Sequence, residues 1–293
     1  MIDFSALCLK LPTSEQLAEQ ARERIRQQAG ALAAPGAFLA ISLSDWLSHG
    51  VHGVGFVPAR EVARLDRSVW ERFERDDPPV TAAIERFQSA LESAMQEQGA
   101  GGSMLRWDFC SSIDLKAALA DGVDMASPVF RQACASLPLD DPRAIDILFE
   151  YPRPAIPALL RPWVSARMVD GFPLEFRAFV RGNELQGIAS YYPQRALPEN
   201  DEIRAVVDQV RRAATNMVAG MLAAGAYPWM LGYEQAFERG SVNASIDFVV
   251  DEQGQVLFLE AGPAAGFGAH PCAFLAREIE GVALSLGDGV QLR

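Results

Sequence analysis

Apolar residues recur at steps of three and four along the first part of the chain, the spacing of one helical face. TSEQ, Thr13 to Gln16, has the form of a capping box, and Leu17, Ala21 and Ile25 follow it at helical spacing. From Pro58 to about Arg75, Val62, Leu65, Val69 and Phe73 fall on one stripe and predict a second helix. DDPPV breaks it, and Ile84, Phe87, Leu91 and Met95 mark a third, which stops at GAGGS, Gly99 to Ser103. SDWLSHGVHGVGFVP, between the first two, is Gly-rich and irregular.

Beyond Gly99 the period changes. MLRWDF (Met104–Phe109), ALLRPWV (Ala158–Val164), LEFRAFVRG (Leu174–Gly182) and NELQGIASYY (Asn183–Tyr192) read as strands, the last two joined by a tight turn at Gly182-Asn183. SSIDLKAALADG, Ser111 to Gly122, reads as a capped helix. The longest helical stripe runs from Asn200 to Gly225 through Ile203, Val206, Val207, Val210, Met217, Val218 and Met221. The reading is α+β, with a helix-rich region over residues 1–98 and a second domain over 99–293.

SIDFVVDEQGQVLFLEAGP, Ser245 to Pro263, is a hairpin of apolar strands carrying one carboxylate on each, Asp247 and Glu260. A turn centred on Gln253-Gly254, or a four-residue loop from Glu252 to Gln255, places Val249 opposite Phe258 and Asp247 opposite Glu260. A three-residue loop with Gly254 as a bulge shifts one strand and separates the two acids. Directly opposed, their Cβ atoms would stand ~4.5–5.5 Å apart and repel. A hard divalent cation such as Mg²⁺ offsets that repulsion, as does an arginine at one of the acids.

Charge narrows the chemistry. Net charge is −12, with 38 acidic residues against 26 Lys and Arg, which argues against sequence-independent nucleic-acid binding. No apolar run approaches the ~20 residues that span a bilayer. The beginning of the chain lacks the pattern of a signal peptide. The four cysteines, Cys8, Cys110, Cys134 and Cys272, are widely spaced and read as reduced thiols of a cytoplasmic protein. His49 and His52 in HGVH lack a nearby acid for a zinc site. His270 and Cys272 lack an orienting third group, so loop structure is the better account of both pairs.

Against that acidic background, single arginines in apolar strands stand out: Arg106, Arg161, and Arg177 beside Glu175 on one strand face. Each alone suits a salt-bridged strand. Together with three acids they point to a nucleoside triphosphate site, because guanidinium grips phosphate through a rigid fork. GAGGS ahead of Arg106 could cradle phosphate with backbone amides or serve as a linker.

ALLRPWV, then EFRAFVRGNELQGI, a helix, and IDFVVDEQGQVLFLEAGP resemble the ordered core of ATP-grasp proteins over Gly99 to Gly268. In detail they are similar to the cell division cycle protein 123 type and related bacterial and phage proteins. The resemblance implies two α+β subdomains clasping ATP, with adenine against the backbone of Arg161, Pro162, Trp163 and Val164. It implies Mg²⁺ on Asp247 and Glu260, and Glu175 and Arg177 beside the phosphates. Two positions depart from it. Glu260-Ala261-Gly262 stands where Glu-x-Asn is usual, and the phosphate-contacting lysine expected near the first strand is absent, so Arg106 is the expected replacement and Lys116 the alternative. The implied activity is an ATP- and Mg²⁺-dependent carboxylate–amine ligase, with Arg106 and Arg177 as catalytic cations. The partners would be a nucleotide, a small-molecule or peptide substrate, and a protein bound through the N-terminal region. The alternative is an ATP-binding assembly factor of the same fold without turnover.

Overall fold

A computed structural model describes residues 14–73, 80–98, 102–148, 150–192, 197–198, 200–230, 238–263, 281–286 and 289–292. The chain opens with α1 (Ser14–Leu32) and β1 (Ala37–Leu39). Helix α2 (Leu43–Asp45) runs into a π turn, Trp46–Gly50. Then come β2 (Gly55–Phe56), β3 (Arg60–Asp66), α3 (Arg67–Phe73) and α4 (Thr81–Gln98). Thr13 of the expected capping box lies outside the described residues.

The helix expected from Pro58 to Arg75 is instead strand β3 followed by the short helix α3. Val62 and Leu65 still serve the core, and so does Trp70, but across a strand–helix junction. The Arg67 amide donates to Pro154 O (2.8 Å), and its side chain to Leu148 O (2.8 Å), which pins the junction. Tertiary pairing with an apolar strand overrides the local period here.

The middle of the chain supplies β4 (Ser103–Trp107), α5 (Ile113–Ala120), α6 (Pro128–Ala135), α7 (Pro142–Leu148) and β5 (Ala155–Pro162). There follow β6 (Met168–Val169), β7 (Phe172–Pro173), β8 (Glu175–Arg181), β9 (Glu184–Ser190) and α8 (Asp201–Ala224). The last elements are β10 (Tyr227–Trp229), β11 (Ala244–Val250), β12 (Val256–Pro263), β13 (Gly281–Leu286) and β14 (Gly289–Leu292). Gly182 and Asn183 both take positive φ, 54° and 73°, as a tight β8–β9 turn requires. Asn200 caps α8, its side chain accepting from the Ile203 amide at 2.9 Å, and Gly225 ends it in the left-handed region.

Two principal sheets organise these α+β elements. The larger has the order β14-β13-β9-β8-β11-β12-β2, and the smaller β3-β5-β4. Strands from before residue 99 enter both: β3 pairs with β5, and β2 with β12. On the larger sheet, Phe176, Ala178, Val180, Ile246, Phe248 and Phe258 face α8, whose expected stripe is buried against them. The smaller sheet packs Leu105, Trp107, Ile156, Ala158 and Leu160 against Trp70, Phe87 and Leu91. Among the described residues, no helix is long and apolar enough to cross a membrane.

Candidate functional site

Alternation gives each sheet a second face, and the two second faces meet across a cleft. From β4 come Met104 and Arg106, from β5 Arg161, and from α5 Leu115 and Lys116. Opposite stand Glu175 on β8, Val249 on β11, and Leu259 and Glu260 on β12. Apolar Val57, Met104, Leu115, Trp163, Val249 and Leu259 line it together with Arg106, Lys116, Arg161, Glu175, Tyr192 and Glu260. Counted to its open mouth, the empty space is about 660 Å³.

Asp247 and Glu260 are cross-strand partners, by a route the turn does not set. Near the turn the pairs are Val250–Val256, Val249–Leu257 and Phe248–Phe258, so Val249 does not face Phe258 as expected. Continued unchanged, that register would aim Glu260 at the α8 core. A bulge at Leu259 shifts β12 by one residue, and Asp247 then pairs with Glu260. Leu259 and Glu260 therefore both face the cleft.

Each acid is met by a cation. Arg177, beside Asp247 on β8, grips it bidentately: Nε donates to Oδ1 at 2.6 Å and Nη2 to Oδ2 at 2.7 Å. Arg106 Nη1 donates to Glu260 Oε2 at 2.6 Å, while Lys116 Nζ stands 3.6 Å from Oε1. Burial alone would raise the Glu260 carboxyl, but Lys116 and Arg106 hold it well below the ordinary range. Burial outweighs Arg177 at Asp247 and holds that carboxyl above its usual value.

These acids do not fit the Mg²⁺ site expected of them. All four carboxylate oxygens already face a guanidinium or ammonium nitrogen. Residue 262, where the asparagine of Glu-x-Asn would stand, is glycine, without a side-chain amide oxygen to give. Among the described residues, no group of three or more His, Cys, Asp or Glu side chains is placed to hold a metal ion.

Arg161 is the exception among the cations. It is fully buried, and Nη2 donates to Val57 O at 2.9 Å, but Nε and Nη1 have no partner among the described residues. Burial, followed by the neighbouring Arg106, pushes its pKa down to about 9. Glu175 is also buried; Tyr192 Oη donates to its Oε2 at 3.3 Å, and burial followed by Asp247 pushes its carboxyl up to about 8.

The cleft thus gathers Arg106, Arg161, Pro162, Trp163, Val164, Glu175 and Glu260. Arg177 and Asp247 form an adjoining pair on the same sheet face. At the expected adenine strip, the Trp163 amide is already donated to Gly102 O at 2.7 Å. Sequence reasoning missed Tyr191 and Tyr192. The Tyr191 hydroxyl accepts from Lys116 Nζ at 3.3 Å, and the Arg177 guanidinium lies 5.0 Å from its ring centroid. Adjacent tyrosines closing an apolar strand were the available signal. His52 Nε2 lies 2.9 Å from His49 O, a contact within one loop. Gly266, Gly268, His270 and Cys272 lie outside the described residues.

No protein-family model and no curated protein matches the sequence. Among solved structures, the fold is similar to C-terminally truncated Cdc123 from Schizosaccharomyces pombe (TM-score 0.49, 10% identity, 90% of this chain and 96% of that one). It is also similar to the D-cycloserine synthetase DcsG (0.37, 13%, 81% and 67%). A third is a RimK domain ATP-grasp protein from Sphaerobacter thermophilus (0.40, 12%, 89% and 65%). The likeness is one of chain path; what the cleft does is read from its own residues.

Proposed function

We propose that the cleft binds ATP, the base against its apolar side chains and the triphosphate at Arg161, Arg106 and Lys116. The observation that carries this reading is Arg161. A buried guanidinium with two unpartnered nitrogens is costly unless a ligand completes it. Its planar donors suit phosphate oxygens, and an apolar slot beside it suits a purine ring.

The use of ATP that this arrangement supports is carboxylate activation. The γ-phosphoryl group passes to a substrate carboxylate, ADP leaves, and an amine attacks the acylphosphate to form an amide and release phosphate. Arg106, Arg161 and Lys116 converge where charge builds on the transferred group, which is the main protein contribution to such a transfer. Arg177, committed to Asp247 through both oxygens, acts there as a positioning residue.

A second reading has its own observation. Asp247 and Glu260 are occupied by cations, and Gly262 stands where an amide ligand would be expected, which favours an ATP-binding assembly factor without turnover. The N-terminal region would then carry a partner surface. Calorimetric titration with ATP, followed by ADP release in mixtures of candidate carboxylates and amines, separates the two. Binding with turnover supports the ligase; binding with no ADP above background in any mixture supports the assembly factor. No binding refutes both.

A further inference from the structure

We infer that the cleft takes its polyphosphate as the free anion, with Arg106, Lys116 and Arg161 standing where a divalent cation would be needed. The inference rests on the ATP reading above. Four cationic side chains, Arg106, Lys116, Arg161 and Arg177, meet three carboxyl groups, Glu175, Asp247 and Glu260. That excess of positive charge sits inside a chain of net charge −12. A site built to attract a metal has carboxylates in excess; this one is built to attract an anion.

The pairings point the same way. A cation entering between Asp247 and Glu260 would have to take both oxygens of Asp247 from Arg177, or Glu260 from Arg106 and Lys116. Either exchange strands a buried guanidinium, which costs several kcal/mol. A polyphosphate strands no guanidinium. It meets Nε and Nη1 of Arg161, which lack partners, and competes with Glu260 for Arg106 and Lys116. Glu260 is then a resident anion that the ligand displaces, rather than a ligand to metal.

Those two roles give Glu260→Gln opposite signs. As a metal ligand, its loss weakens nucleotide binding; as a competing anion, its loss strengthens it. The test is calorimetric titration of the full chain with ATP, once in EDTA and once in excess Mg²⁺. The expected result is an affinity in EDTA within about threefold of that in Mg²⁺, or tighter. Glu260→Gln should tighten binding in EDTA. Arg161→Met should weaken it by about tenfold or more, the usual loss for a hydrogen bond to a charged group. Circular dichroism melts report whether each variant is folded. Should Arg161→Met fail to fold, the wild-type comparison and Glu260→Gln decide alone. Weakening in EDTA beyond about threefold, or looser binding by Glu260→Gln, overturns the inference while leaving the ATP reading intact. Absence of binding under both conditions removes the ATP reading and the inference with it.

Discussion

Replacing Asp247 by Asn keeps the shape of the side chain and removes its charge, and two accounts of the residue give opposite outcomes. If Asp247 were kept for a metal, then in EDTA the variant would relieve repulsion against Glu260 and Glu175 and raise stability. If it serves Arg177, the variant strands a guanidinium whose side chain is only 17% exposed, against 2% for Asp247 itself. Breaking a buried pair by removing one partner costs about 3–5 kcal/mol, and the partial exposure of Arg177 puts the expected loss at the lower end. For a chain of this size that is about 5 °C in melting temperature. Burial already outweighs Arg177 at this carboxyl, so the pair adds little net stability and the loss measures the stranded arginine. Urea melts in EDTA of the wild type, Asp247→Asn, Arg177→Met and the double variant close a thermodynamic cycle. A coupling of about 2–3 kcal/mol is expected. A coupling below about 0.5 kcal/mol, or a midpoint raised by Asp247→Asn alone, would refute the pairing argument.

Gly220 lies inside α8, where alanine would ordinarily add about 1 kcal/mol. A Cβ there would stand 2.2 Å from His52 Cβ, so Gly220→Ala should destabilise by about 1–3 kcal/mol. His52→Gly should restore much of the loss, and a higher melting temperature for Gly220→Ala alone contradicts the packing. Glu175 titrates near 8 in the folded chain against an ordinary 4.5, through burial first and Asp247 second. Between those values the native state holds a proton that the unfolded chain has released, so stability falls as pH rises through that window. Denaturant midpoints taken across it should decline in the wild type and decline less in Glu175→Gln; equal slopes would exclude Glu175 as the source.

Strand β9 was legible in the sequence from the tight turn at Gly182-Asn183 that joins it to β8. Strands β4, β5, β8, β11 and β12 could be read because apolar residues dominate them and a charge among those is conspicuous. That is why Arg106, Arg161, Glu175, Arg177, Asp247 and Glu260 stood out before any contact was known. Helix α8 was readable for a related reason: its cap, stripe and terminal glycine all agree. Strand β3 was not, since Val62, Leu65 and Val69 suit a helical stripe as well as a strand running into α3. Strands β1, β2 and β10, two or three residues long, carry no period at all. Helix α6 was a missed opportunity, because Ser127 and Pro128 form a cap followed by proline in the first turn.

The partners of the charges were harder to foresee than the charges themselves. Which cation reaches which acid depends on the Leu259 bulge, which turns Glu260 out of the α8 core and into the cleft. It also depends on α5, which delivers Lys116 together with Leu115 from a helix far in sequence from Glu260. Arg106 and Lys116 belong to the smaller sheet and its helix, and Glu260 to the larger sheet, so the ion pairs between them cross the cleft. On the proposed reading, an incoming phosphate would trade places with Glu260 at those cations while completing Arg161. Ligand affinity is then the difference between two anions competing for the same donors. That would make it more sensitive to the charge at Glu260 than to the apolar side chains proposed to receive the base.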